Sequence, residues 1–284
     1  MNAPTTSNTL GVNVFTAPGK AMAGERPRPF GEALGFDPMA STLIFGEHDA
    51  VLVDALTTVA EAEALAHWVA LHNRNLRTIY ITHGHADHFY GLSVLLGRFP
   101  NARAIATPKA VDEMRKFLIP PLDRIMQRCF PGQLATKLVA AEPYESETFT
   151  LERQEIRIIE QGHTDGPNTT SLHIPSIDLV VAGDVVYNQC HMYVGDTTPE
   201  SRKNWVAALD RLAALKPATV VARHKKPGAP DSPSAIQDTK CYLLDFDRLQ
   251  QTTASDEELF NQMTELYPHW AANQSWLMFG FPGG

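Results

Sequence analysis

The chain has only three cysteines, Cys129, Cys190 and Cys241, an odd number with no short metal-type spacing between them. Neither a disulfide framework nor a cysteine zinc site is suggested, and a reducing compartment is expected. Runs of lysine or arginine are missing, and the formal net charge is −8. Such a chain is poorly suited to gripping a phosphate backbone, so nucleic acid is not an expected partner. No apolar run is long enough to span a bilayer, and the Met1-Asn2-Ala3-Pro4 start lacks the basic and then apolar segments of a secretory signal. The expectation is a soluble, cytoplasmic protein with no membrane partner. Internal repeats and low-complexity segments are absent too. What is present is 44% hydrophobic content over 284 residues, enough for a full core and read as a single domain.

Against this background one stretch stands out: Thr82-His83-Gly84-His85-Ala86-Asp87-His88. His83, His85, Asp87 and His88 are four side chains able to bind a transition metal, and imidazole and carboxylate are the ligands that hold zinc or iron while leaving room for water. Leu76 to Thr82 is β-branched and aromatic and predicts a buried strand, and Phe89 to Phe99 predicts the helix after it, stopped by Pro100. The motif therefore falls on a strand-to-helix loop, where alternate residues converge while the flanking elements hold them.

The neighbouring pattern supports this placement. Ser41 to Phe45 and Ala50 to Val53 predict a hairpin, and Thr58 to Glu61 has the form of a capping box opening a helix. After the motif come a short strand at Ala102 to Ala106 and a helix from Pro108 to about Phe117. Residues 119–143 are less regular, and a packed connection and a lid over a site are both compatible with them. Strands resume at Phe149 to Leu151, Ile156 to Glu160, Ser171 to Ile174 and Leu179 to Ala182, followed by a helix at Lys203 to Leu215 and a strand at Thr219 to Ala222. From about Ser234 the chain predicts a helical C-terminal extension. The class is α/β, with sheets covered by helices.

Three further candidate ligands follow apolar runs in the same manner. His163 comes after the strand ending at Glu160, Asp184 closes Leu179-Val-Val-Ala-Gly-Asp, and His224 follows Thr219-Val-Val-Ala-Arg. Together with the first loop they make seven, the number two metals need when one carboxylate bridges them and each keeps an open position.

With these motifs the chain resembles a metallo-β-lactamase-fold hydrolase of the branch containing glyoxalase-II-like enzymes and lactonases, over roughly Ser41 to His224. The resemblance implies a four-layer αββα sandwich of two mixed sheets flanked by helices, with the metals at one sheet edge. It implies one metal on His83, His85 and His163, another on Asp87, His88 and His224, and Asp184 bridging. Zn2+ is the expected ion at both positions, with iron or manganese as alternatives. Asp54 resembles the family's carboxylate that steadies the histidine loop. Arg223 stands where the family often has glycine; it is a candidate to hold a substrate carboxylate, with pairing to a nearby Asp or Glu as the alternative.

The chemistry so implied is hydrolysis of a small ester, thioester, lactone or related electrophile by a hydroxide bridging two metals, whose water pKa falls from about 15.7 towards about 7. Asp87 is the candidate proton carrier, and Tyr187 a candidate donor to the developing oxyanion, with His191 and Tyr193 on the same connection. Phe30, Phe36 and Met39 are candidate walls of an apolar pocket. Family members specialised as β-lactamases carry cysteine or serine where this chain has Asp184, which disfavours amide hydrolysis of that type. A mononuclear iron oxygenase resembling persulfide dioxygenases is the alternative from another class. A small-molecule substrate is expected as the partner, and homo-oligomerisation is left open.

Overall fold

The computed structural model describes residues 9–23 and 35–271; Phe30 lies outside them. The first half opens with β1 (Gly11–Ala17), then the small pair β2 (Lys20–Ala21) and β3 (Gly35–Phe36), and the hairpin β4 (Met39–Phe45) and β5 (Asp49–Val53). Glu152, from the other half, caps the hairpin turn: its carboxylate accepts from the backbone N–H groups of Glu47, His48 and Asp49 at 2.6–2.8 Å. A Cβ at Gly46 would sit 2.4 Å from that carboxylate, so a side chain there would displace the Glu152 cap.

Next comes α1 (Val59–Leu71), opened by the predicted box: Thr58 accepts from Glu61 N, and the Glu61 side chain accepts from Thr58 N. It buries Ala62, Leu65, Ala66 and Val69 as it crosses over to β6 (Asn75–Tyr80), which pairs parallel with β5. The predicted 89–99 helix is two helices, α2 (Ala86–Phe89) and α3 (Leu92–Arg98). The break is at Gly91, where a Cβ would lie 2.0 Å from the Ala55 carbonyl oxygen. β7 (Arg103–Ala106), α4 (Pro108–Phe117), α5 (Leu122–Cys129) and β8 (Glu142–Pro143) finish this half.

The second half is an antiparallel run of β9 (Thr148–Leu151), β10 (Gln154–Gly162), β11 (Thr169–Ile174) and β12 (Leu179–Asn188). Then α6 (Pro199–Ala214) crosses over to β13 (Thr219–Lys225), parallel to β12, followed by α7 (Ser234–Thr252) and α8 (Asp256–Leu266). Every residue of β12 is buried, which is why it reads as a continuous apolar run.

The strands hydrogen-bond in the order β8-β7-β6-β5-β4-β13-β12-β11-β10-β9, with β1 also on β4. The expected two mixed sheets are thus joined into one curled mixed sheet, through the single pair Met39 and His224. Three cores show the four layers. One packs α1, α3 and α4 on the first half through Leu65, Val69, Leu95 and Met114. A second packs α6, α7 and α8 on the other half through Trp205, Leu209, Phe246 and Phe260. Between the halves lies a third, with Ile44, Val51, Val53 and Tyr80 against Ile156, Leu172, Ile174 and Val221. The helical tail is therefore built into a layer by α7. Among the described residues no helix is long and apolar enough to cross a membrane.

Candidate metal centre

The centre lies at the seam where the two halves of the sheet meet. His83 and His85 follow β6 on a turn held tightly against α4, where a Cβ on Gly84 would lie 2.8 Å from Met114 N. His85 is the N-cap of α2, and Asp87 and His88 are in that short helix, not on a loop. Asp184 closes an apolar run in the sequence, yet β12 continues beyond it to Asn188. A bulge at Gly183, with φ +60°, turns the Asp184 carboxylate out of the alternation. His224 is likewise inside β13, beside Tyr187 on β12 and Met39 on β4.

Two groups of donors result, each with its ligand atoms within 4.8 Å of one another: His83, His85, Asp165 and Asp184, and Asp87, His88, Asp184 and His224. Asp184 belongs to both. Neighbouring donors are 3.2–3.7 Å apart: His83 Nε2 and His85 Nδ1 from Asp165 Oδ2, His88 Nε2 from Asp184 Oδ2 and Asp87 Oδ2, and His224 Nε2 from the same two carboxylates. Ligands about 2.0–2.1 Å from a tetrahedral metal are about 3.3–3.4 Å from each other, so these spacings are those of a coordination shell. Several of the donors, both His83 nitrogens, Asp87 Oδ2, Asp165 Oδ2 and Asp184 Oδ1, are buried without a hydrogen-bond partner among the described residues. Buried polar atoms are rarely left so, and a cation in each group would satisfy the carboxylate oxygens and one nitrogen of His83. The residues therefore fit two divalent ions.

Six of the seven predicted ligands are brought together; His163 is not. Its Nε2 lies 2.8 Å from the Asp196 carbonyl, and Asp165 two residues on stands beside His83 and His85. The strand β10 ends in a bulge at Gly162, φ +80°, just before His163, and the donor group contains Asp165 where the sequence led to His163. The only sequence signal for Asp165 is its position in the same His-Thr-Asp-Gly turn.

Charge organises the group. Burial pushes the His85 imidazole down, but the Asp165 carboxylate, with Asp87 and Asp184 behind it, outweighs this and raises it to about 9. Burial opposes ionisation of Asp184 as well, and His88 and His224 together hold it well below the usual carboxylate range. Asp54, at φ +64°, accepts from Thr82 N at 2.9 Å and meets His88 Nδ1 at 3.1 Å, leaving His88 Nε2 for the metal side. It sits where a carboxylate can steady the histidine turn.

Arg223 is not among the residues lining the cavity over the centre. Buried among protein groups, it donates to the carbonyl oxygens of Ala40 and Asp87 and lies 3.8 Å from Asp87 Oδ2. The expectation that it holds a substrate carboxylate is corrected to the alternative: it fixes α2, which carries Asp87 and His88.

A cavity of about 990 Å³ opens over the centre, with His85, Asp87, Asp165, Asp184 and His224 on its floor. Phe36, Phe117, Ile125, Met126 and Tyr193 wall it, so part of segment 119–143 is a wall of the site. Met39 and His191 are not among the lining residues; Met39 is buried, and His191 meets Tyr242 Oη at 3.1 Å in the second core. Tyr187 lines the cavity with its ring stacked on His224, centroids 5.1 Å apart, and its hydroxyl has no partner among the described residues.

Solved structures share this architecture. A metallo-beta-lactamase from Pontibacter korlensis is 16% identical, with TM-score 0.60 over 85% of this chain and 97% of that one. A metallo-beta-lactamase family protein from Thermus thermophilus is 18% identical, with TM-score 0.61 over 95% of this chain and 90% of that one. The metallo-beta-lactamase FIM-1 from Pseudomonas aeruginosa, solved in a mono-zinc form, is 16% identical, with TM-score 0.56 over 82% and 91%. At such identities the likeness is one of fold. Among curated proteins none matches the chain. The family model of the metallo-beta-lactamase superfamily matches residues 34–224, a stretch that ends on His224, and the chain belongs to that superfamily.

Proposed function

We propose that this protein is a dinuclear metal-dependent hydrolase of a small ester, thioester, lactone or related electrophile, akin to the glyoxalase-II-like and lactonase-like branch. Family membership and the two His/Asp groups support a metal-dependent hydrolase in general terms. The observation that carries the finer reading is the sharing of Asp184 by two buried donor groups on one cavity floor.

Divalent ions held by these groups supply Lewis acidity, polarising a carbonyl and acidifying a water near neutral pH. The chain's own residues do the rest. Burial raises the pKa of Asp87, but His88 and Arg223 outweigh that and keep it ionised, so it can take a proton from the attacking water and pass it to the leaving group. Burial, and then Asp184, push the Tyr187 hydroxyl well above its usual value; it stays a donor, and its role in this reading is to hydrogen-bond the developing oxyanion. The apolar walls seat the acyl or alcohol portion and exclude water.

A second reading has one observation in its favour: His83, His85 and Asp165 form a two-histidine, one-carboxylate set of the kind that holds non-haem iron in oxygenases. The complete second group, Asp87, His88 and His224, favours the hydrolase. The test is a hydrolysis screen of metal-loaded protein across lactones, thioesters, aryl esters, β-lactams, phosphodiesters and isothiocyanates. Turnover of esters, thioesters or lactones is expected; selectivity for phosphodiesters would overturn the substrate class.

A further inference from the structure

The His163 imidazole and the Asp165 carboxylate are two residues apart on one turn, and the turn is built to present the second. Asn204 Nδ2 donates to the carbonyls of Gln161 and His163 at 3.1 and 2.7 Å, and Arg211 donates to Gln161 O at 3.1 Å, which pins the backbone leading into the turn. Within the turn Thr164 N donates to Gly166 O at 3.0 Å, and Thr164 Oγ1 lies 3.0 Å from Asp165 Oδ1 and 2.9 Å from Thr169 Oγ1. Asp165 Oδ2 is left for His83 and His85, and the carboxylate is 1% exposed. Gly166 lets the His85 ring close against the turn, since a Cβ there would lie 2.6 Å from His85 Nε2. His163, by contrast, is half-buried and turned to the Asp196 carbonyl.

We propose that Asp165, and not His163, is the third protein ligand at the first metal position, and that the resulting donor set weakens the centre's discrimination for Zn2+ against Mn2+. The inference rests on the reading that both groups bind metal. Each position then has two imidazoles, one carboxylate of its own and a share of Asp184, so the two positions match in charge and in hardness. Three carboxylates face two divalent ions where an imidazole at the third place would leave two. Oxygen donors suit manganese, and exchanging one for nitrogen moves a site towards zinc.

Four forms of the full chain test this: native, Asp165→Asn, Asp165→His and His163→Ala. Each is stripped, dialysed against equal Zn2+ and Mn2+, and analysed for bound metal by elemental mass spectrometry, with circular dichroism as the check on folding. Two ions in the native chain and in His163→Ala are expected, a loss of one in Asp165→Asn, and a several-fold higher Zn-to-Mn ratio in Asp165→His than in the native chain. Two ions in Asp165→Asn with one in His163→Ala would overturn the ligand assignment while leaving the hydrolase reading intact. An unchanged Zn-to-Mn ratio in Asp165→His would overturn the selectivity. A native chain that binds no metal would overturn the parent reading and this one with it. Should Asp165→Asn not fold, His163→Ala decides alone: two ions support the assignment and one ion refutes it.

Discussion

Tyr187 is a buried phenol among the residues lining the cavity, with its ring stacked on His224 and its hydroxyl without a partner among the described residues. Replacing it by Phe keeps the stack and removes only the donor. Tyr187→Phe is expected to retain the fold and the bound metals and to lower kcat by about a hundredfold, the usual effect of deleting one oxyanion donor. Steady-state kinetics beside metal analysis will check this; an unchanged kcat would return Tyr187 to a packing role. His191 makes a different residue-scale prediction. Burial pushes its imidazole down to about 4 from 6.5, so the unfolded chain binds that proton more readily than the folded one. Its contribution to stability is complete above about pH 6.5 and is lost as pH falls towards about 4, up to about 3 kcal/mol at 1.36 kcal/mol per unit. In His191→Gln the fall in unfolding free energy between pH 6.5 and 4 should be shallower than in the native chain, read by denaturant titration at each pH.

At the scale of elements, the packing of α6 on α7 depends on Arg202. Its guanidinium, 3% exposed, donates to Asp247 at 2.6 Å, Gln250 at 2.8 Å and Thr197 at 2.9 Å. Arg202→Ala leaves a partly buried carboxylate unpaired and is expected to cost about 2 kcal/mol, less than the loss of a fully buried pair because Asp247 is 26% exposed. Chemical denaturation will measure it. Elements whose partners are local were legible in the sequence: the β4–β5 hairpin from its polar spacer, α1 from its Thr58 box, and the strand and turn that deliver His83 and His85. Elements decided by distant contacts were not. The break at Gly91 comes from the Ala55 carbonyl, 36 residues earlier, and β1 exists as a strand because β4 pairs with it. The Asp165 turn belongs with these, since the bulge at Gly162 and the hold of Asn204 on Gln161 and His163 come from pairing and from α6.

At the scale of the molecule, the sheet is two halves joined at Met39 and His224, with the candidate metal centre at that seam. The first half brings His83, His85, Asp87 and His88, and the second brings Asp165, Asp184 and His224. Six of these were legible, four from their density in one short stretch and Asp184 and His224 because each follows an apolar run; what was not legible was that β4 and β13 would meet, since one residue pair makes the join. Ions held there would couple their binding to the docking of the halves, as ions that bind only the folded state stabilise it. The most direct measurement is the metal content of the purified full chain taken together with oxygen uptake during turnover. The account predicts two divalent ions per chain and hydrolysis with no oxygen consumed. About one iron per chain, with oxygen consumption matching turnover, would contradict it.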